Sequence, residues 1–258
     1  MKKTPVTPRR EDFPAFLHPY LGGRVYDSSC SPQARVFFFE NAGVYAKRAE
    51  RGSLEKEAKM TSFFHTLGLS VEVLAYVSEE HDWLVTAAAD GEDATHPTYL
   101  GDGRRLAATL GEALRALHET EAIGCPIPDR TGDYLRTVET NAAAGIFDPA
   151  FFGEGRTPTA AEALALVRDA APALSSRVLL HGDYCLPNVL LRDFRITHFI
   201  DLGSGGIGDR HIDLFWGAWT LGFNLGTDRF RDEFFSAYGR ELIDRDLLLA
   251  VAAAECFG

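Results

Sequence analysis

Along the first ninety residues apolar positions fall in short runs that predict strands. Arg35-Val36-Phe37-Phe38-Phe39-Glu40 and Val44-Tyr45-Ala46-Lys47 are β-rich, and Asn41-Ala42-Gly43 between them has the composition of a hairpin turn. Over 54–67 the spacing changes: Leu54, Ala58, Phe64 and Leu67 recur near a helical period with charges between them. Strand character returns over 71–77 and 83–86, and Ala87-Ala88-Ala89-Asp90-Gly91 reads as a connector. Leu106, Leu110, Leu114 and Leu117 then form one apolar stripe across 102–120, the mark of an amphipathic helix. Thr159-Ala160-Ala161-Glu162 is a capping box opening a helix that runs to about Asp169. Residues 178–181, 188–191 and 198–202 are strand-like, and the chain from Asp209 onward is mostly helical. The pattern predicts an α+β, bilobal chain. A small β-rich lobe covers 1–89, a hinge lies at 87–91, and a larger helical lobe over 90–258 carries a short hairpin.

Composition narrows the function without naming it. A chain of 258 residues can bury a substantial core, and 46% hydrophobic with 24% charged residues is ordinary for a globular protein. The net charge of −11 and pI near 5.2 argue against nucleic acid or anionic membrane as partner, since those surfaces need clustered Lys and Arg. An acidic surface favours a cationic small molecule. Cys30, Cys125, Cys185 and Cys256 form no C-x-x-C pair and no zinc spacing, so reduced thiols are expected. The basic start Met1-Lys2-Lys3 is not followed by an apolar stretch, and no run approaches the ~18 residues of a membrane span. A cytoplasmic protein is expected; oligomeric state is not legible.

The chemistry concentrates in His181-Gly182-Asp183-Tyr184-Cys185-Leu186-Pro187-Asn188 and in the later Phe199-Ile200-Asp201-Leu202-Gly203. Phosphoryl transfer needs a carboxylate to orient the attacking hydroxyl and accept its proton, plus oxygen donors that hold Mg²⁺ against the phosphates. Asp183 fits the first task. Asn188 and Asp201 fit the second, because hard magnesium takes oxygen ligands and few protein carboxylates. The spacing matches the kinase pattern H-x-D-x-x-x-x-N followed by D-x-G. Lys47, at the end of a strand-like run, stands where kinases put the lysine for the α- and β-phosphates. Glu57 or Glu55, in the next helix, would pair with it.

On these residues the segment 181–214, HGDYCLPNVLL…FIDLGSGGIGDRHIDL, resembles the aminoglycoside phosphotransferase family, particularly its 3′-type and 3″-type branches. The likeness extends more weakly through Val44-Tyr45-Ala46-Lys47 and Leu54-Glu55-Lys56-Glu57. It implies a protein-kinase-like fold and antibiotic-resistance chemistry: a Mg²⁺-dependent kinase that moves the γ-phosphate of ATP or GTP to a hydroxyl of an aminoglycoside. It further implies Glu57 as partner of Lys47 and Ser31, in a Ser-Pro turn, over the nucleotide phosphates. Thr86 would line the base pocket, with main-chain contacts from Ala87 through Ala89. Asp213 would hold the catalytic loop, and His181 would pack beneath it. For the acceptor, the implied contacts are Asp148 and Glu154 in an insert at 141–155, together with Asp209 and Glu255.

Departures leave the acceptor open. Ser204 stands where the 3′-type enzymes usually carry Arg, and the chain ends A-A-A-E-C-F-G in place of an acidic-aromatic tail. Trp216, Trp219 and Phe223 occupy a helix where polar residues are expected. Another amino sugar, a macrolide or a metabolite is therefore an alternative acceptor. Two other classes compete: a non-catalytic nucleotide-binding protein, and a dinucleotide-dependent oxidoreductase suggested by Gly203-Ser204-Gly205-Gly206-Ile207-Gly208, a literal G-x-G-x-x-G. Asp201 beside a pyrophosphate and the lack of βαβ alternation count against the last. No Walker A sequence is present, and the A-P-E segment of protein kinases is missing.

Overall fold

The computed structural model describes residues 3–153, 155 and 157–258. In chain order the first elements are β1 (Thr4–Val6), β2 (Val25–Asp27), β3 (Ala34–Phe39), β4 (Val44–Glu50), α1 (Glu55–Thr66), β5 (Val73–Ser78), β6 (His81–Ala87) and β7 (Glu92–Asp93). Then come α2 (Pro97–Leu100), α3 (Gly103–Glu119), α4 (Arg130–Ala143), α5 (Ala160–Ala170), β8 (Val178–Leu180), β9 (Val189–Arg192), β10 (Arg195–Phe199) and β11 (Gly206–Gly208). The chain closes with α6 (His211–Leu225), α7 (Arg231–Tyr238) and α8 (Arg245–Glu255).

The chain divides into two compact units, one of Met1–Asp93 with Pro187–Gly203, the other of Ala94–Leu186 with Ser204–Gly258. Segment 187–203, grouped with the helical lobe in the sequence, clusters with the first unit because β9 pairs with β7 through Glu92↔Leu191 and Asp93↔Leu190.

In the first unit six antiparallel strands run in the order β1-β2-β3-β4-β6-β5. Period-2 alternation gives the sheet two chemically different faces. Phe37, Phe39, Val44, Ala46, Trp83 and Val85 pack on one side with Phe13 and Leu17. The residues between them point to the other side, in cross-strand rows Val36↔Lys47↔Leu84 and Phe38↔Tyr45↔Thr86. Buried Asp82 accepts hydrogen bonds from Leu54 N (2.9 Å) and Tyr76 Oη (2.9 Å), which ties the start of α1 to the sheet.

β9 and β10 form a hairpin whose two loop residues, Asp193 and Phe194, both have positive φ (54° and 59°), the signature of a type I′ turn. Its far end is clamped by the α1–β5 linker: Phe199 N donates to Leu69 O (2.8 Å), and Ser70 Oγ donates to Phe199 O (2.7 Å). The strand stops there, short of the predicted 202, because Asp201 takes a left-handed φ of 60°.

The second unit packs α4, α5, α6 and α8 around Val138, Ala163, Val167, Leu180, Ile212 and Val251. The predicted stripe of α3 is fully buried, Leu117 being 1% exposed, and Asp102 caps the helix by accepting from Arg105 N (3.2 Å). The capping box of α5 is present, with Thr159 and Glu162 bonding reciprocally. The G-x-G-x-x-G segment contributes β11, antiparallel to β8, and every pairing between named strands is antiparallel. That removes the βα phosphate turn a dinucleotide site requires.

Candidate active site

In the first unit a cavity of about 510 Å³ opens against the polar face of the sheet. Its lining includes Lys47, Glu57, Ser31, Thr86, Ala87, Ala89, Asn188 and Asp201. Lys47 reaches it because alternation along β4 buries Val44 and Ala46 on the opposite side. The ammonium donates to Glu57 Oε2 at 2.8 Å and also to Asp201. Glu55, the rival partner, is tied to Lys59 at 2.6 Å. Burial works against the charge on Lys47, but Asp201 and Glu57 outweigh it and raise its pKa, so the amine stays protonated. Burial lifts Glu57 to about 7, opposed by Lys47 and reinforced by Asp201.

Asn188 and Asp201 become neighbours through the hairpin. Val189 pairs with Phe199, and Ile200 N donates to Asn188 O at 3.0 Å just beyond the last register pair. The left-handed backbone at Asp201, costly for a non-glycine residue, turns its carboxylate into the cavity while leaving it half exposed. An amide oxygen and one carboxylate are the donor set magnesium uses alongside phosphate and water oxygens. No group of three or more His, Cys, Asp and Glu suited to a metal occurs among the described residues, so a zinc-type cage is not built here.

The serine turn before β3 is fixed at its base. Ser28 N donates to Val36 O (2.8 Å), and Val36 N donates to Ser29 Oγ (2.9 Å), leaving Ser31 exposed at the cavity. Ala88 N donates to Gly43 O (2.7 Å), so that main-chain donor is already occupied. Phe38 and Tyr45, stacked at 4.6 Å, also line the cavity. Sequence reading did not single them out, although two-residue alternation from Lys47 puts Tyr45 on the same face.

Asp183 lies in the second unit, on the loop after β8. Buried Asp213 holds that loop, its two oxygens accepting from His181 N (2.8 Å) and Gly182 N (2.7 Å). His118 Nε2 lies 3.2 Å from the same carboxylate, and burial lowers the His118 pKa. His181 is itself buried, and Tyr184 Oη donates to Leu110 O (2.9 Å), anchoring the loop to α3. Gly182 has φ 83°, and a Cβ there would sit 1.8 Å from Ser204 O, so the turn before Asp183 requires glycine.

Asp183 lines a second cavity of about 200 Å³ with Arg130, Tyr134, Trp216 and Glu255. Glu255 is buried, and accepts from Tyr134 Oη (2.7 Å) and Trp216 Nε1 (3.1 Å). Burial raises its pKa to about 7, with Asp183 adding to the shift against those two hydrogen bonds and Arg130. No sequence signal pointed to Arg130 or Tyr134, which are held there by the packing of α4.

Two acceptor candidates sit elsewhere and one cannot be placed. Asp209 is buried and accepts from Ser176 N and Oγ and from His211 N, so it braces the entry to α6, outside the lining of either cavity. Asp148 is exposed and caps the 3₁₀ turn Pro149–Phe151 by accepting from Ala150 N (2.9 Å), outside the lining of either cavity. Glu154 lies outside the described residues.

Known proteins resemble the chain over most of its length. The family model described as phosphotransferase enzyme family matches residues 33–249. A probable aminoglycoside 3′-phosphotransferase of Lactococcus lactis subsp. lactis (strain IL1403) is 44% identical over 251 residues, covering 96% of each chain. A solved aminoglycoside phosphotransferase of the 3″ type from Streptomyces rimosus ATCC10970 aligns with TM-score 0.74 at 25% identity, over 89% of this chain and 91% of that one. The same enzyme in complex with ADP and streptomycin aligns with TM-score 0.72 at 25% identity, over 86% and 90%.

Proposed function

Since the chain belongs to the aminoglycoside phosphotransferase family, with its protein-kinase-like α+β fold, we propose that it moves the γ-phosphate of ATP or GTP to a hydroxyl of an aminoglycoside. The observation that carries this reading is the cavity of the first unit, where an ammonium, an amide and a carboxylate gather on the polar face of the sheet. The streptomycin and ADP found with the Streptomyces rimosus relative support ATP as donor and a cationic acceptor.

In this reading Lys47, aligned by Glu57, binds and orients the nucleotide phosphates, and Asn188 and Asp201 hold magnesium. When bound, that ion would offset negative charge building on the phosphate oxygens during transfer. Asp201 accepts from Lys47 in the structure, and the same carboxylate would serve as a magnesium donor. Ser31 and its turn offer donors to the phosphates, while Thr86, Ala87 and Ala89, which line the cavity, would surround the base. Asp183 accepts a hydrogen bond from the acceptor hydroxyl and takes up its proton as the new P–O bond forms and the bond from the γ-phosphorus to the departing nucleoside diphosphate breaks. The hydrogen bonds from His181 N and Gly182 N to Asp213 fix the backbone that carries Asp183. Glu255, in the same cavity as Asp183, supplies a carboxylate for an ammonium group.

A nucleoside-diphosphate release assay run with ATP and GTP against aminoglycosides, macrolides and simple amino sugars tests the proposal. Acceptor-dependent release with aminoglycosides is expected. Release with a macrolide or an amino sugar alone would replace the acceptor, and none with any hydroxylated compound would remove the activity.

A further inference from the structure

α6 presents two faces of opposite character. Ile212, Leu214, Gly217, Ala218 and Leu221 are buried, whereas Trp216, Trp219 and Phe223, spaced three and four residues apart, form a stripe that passes from partly buried indoles to an exposed phenyl ring. The stripe is a continuous series of ring contacts. Trp216 meets Trp219 at 5.6 Å, and Trp219 stacks on Phe223 at 5.1 Å with an interplanar angle of 10°. Phe151 braces both indoles, at 5.6 and 5.4 Å.

One end of this series is inside the acceptor cavity, where Trp216 lines the wall beside Asp183 and donates to Glu255. The other end is in solvent: Phe223 is 71% exposed, which core packing does not explain. The cavity's volume of about 200 Å³ decides what this continuity means. Pockets that enclose drug-sized ligands run roughly 300–1,000 Å³. A compound of several linked sugar rings exceeds that volume, and the aromatic series that starts at Trp216 offers a surface for the rings beyond the reacting one. Aminoglycoside rings carry apolar C–H faces and ammonium groups, both of which aromatic faces attract.

We propose that Trp219 and Phe223 form an aromatic shelf, continuous with the Asp183–Glu255 cavity, on which a second sugar ring of the acceptor stacks. The shelf sets a preference for multi-ring aminoglycosides over single-ring amino sugars, and rests on the acceptor reading given above.

The test measures both binding and turnover of a three-ring aminoglycoside for wild type, Phe223→Ala, Trp219→Ala and Phe223→Trp. Loss of one stacking partner is expected to raise acceptor Kd and KM roughly 3- to 10-fold, with kcat and the nucleotide KM unchanged. Phe223→Trp should restore affinity, and a single-ring amino sugar should bind all four proteins alike. Calorimetric binding is readable even without phosphorylation, so failure of the activity alone would leave the shelf standing. Unchanged affinity in both alanine variants would overturn it. A drop in molecular mass on light scattering, without any change in acceptor affinity, would assign the stripe to self-association and overturn it equally. Failure of wild type to bind any aminoglycoside would remove both readings.

Discussion

Replacing Glu255 with Gln tests whether a buried carboxylic acid sits beside the proposed base. Glu255 is 8% exposed, and burial raises its pKa from 4.5 to about 7. A carboxyl whose folded pKa is raised contributes stability that is complete below the unfolded pKa and is lost as pH climbs through the folded one. That rise corresponds to about 3.4 kcal/mol in full, of which about 2.5 kcal/mol falls between roughly pH 5 and pH 8. Glutamine keeps the shape and an acceptor for Trp216 but does not ionise. The stability of Glu255→Gln relative to wild type, from urea unfolding, should therefore improve by about 2.5 kcal/mol on going from roughly pH 5 to pH 8. Parallel pH profiles for the two proteins would refute the reasoning, and a gain in the opposite direction would mean that Glu255 is ionised and stabilising in the native state.

Gly182→Ala should destabilise the protein by about 2–4 kcal/mol, from left-handed strain plus the clash with Ser204 O; a midpoint within error of wild type would contradict the turn geometry. Asp201→Ala should abolish the magnesium dependence of nucleotide binding, measured by titration with and without the metal, while the fold holds because its carboxylate is half exposed. Magnesium-dependent binding of wild-type strength would remove Asp201 as a ligand.

Much of the fold was legible where local pattern and packing agree. α3 carried four leucines on one stripe, and α5 opened with a reciprocal capping box, so both were readable from spacing. α4 was not singled out because only Tyr134 and Val138 are buried along it, too few to mark a period. β1 and β2 are three residues long and make sense only through pairing in a sheet, β1 with β2 and β2 with β3. The grouping of 187–203 with the first unit depends on a two-residue strand, β7, which no periodicity announces.

The site divides in the same way. Lys47 and Glu57 stand ten residues apart and meet because the β4–α1 connection is short; Asn188 and Asp201 meet because their hairpin has a two-residue turn. An acidic residue after a glycine run looks available in the sequence, while the hydrogen bonds of Ser176 to Asp209 come from a residue distant along the chain. Arg130 and Tyr134 entered the second cavity through tertiary packing alone.

The central claim is that Asp183 orients and deprotonates the hydroxyl that receives phosphate. It is tested most directly by following the mass of an aminoglycoside incubated with saturating nucleotide and magnesium, using wild type and Asp183→Asn matched for nucleotide occupancy. Wild type should add one phosphate per acceptor, and the variant should do so roughly 10²–10⁴-fold more slowly. Phosphorylation by Asp183→Asn at the wild-type rate would contradict the account.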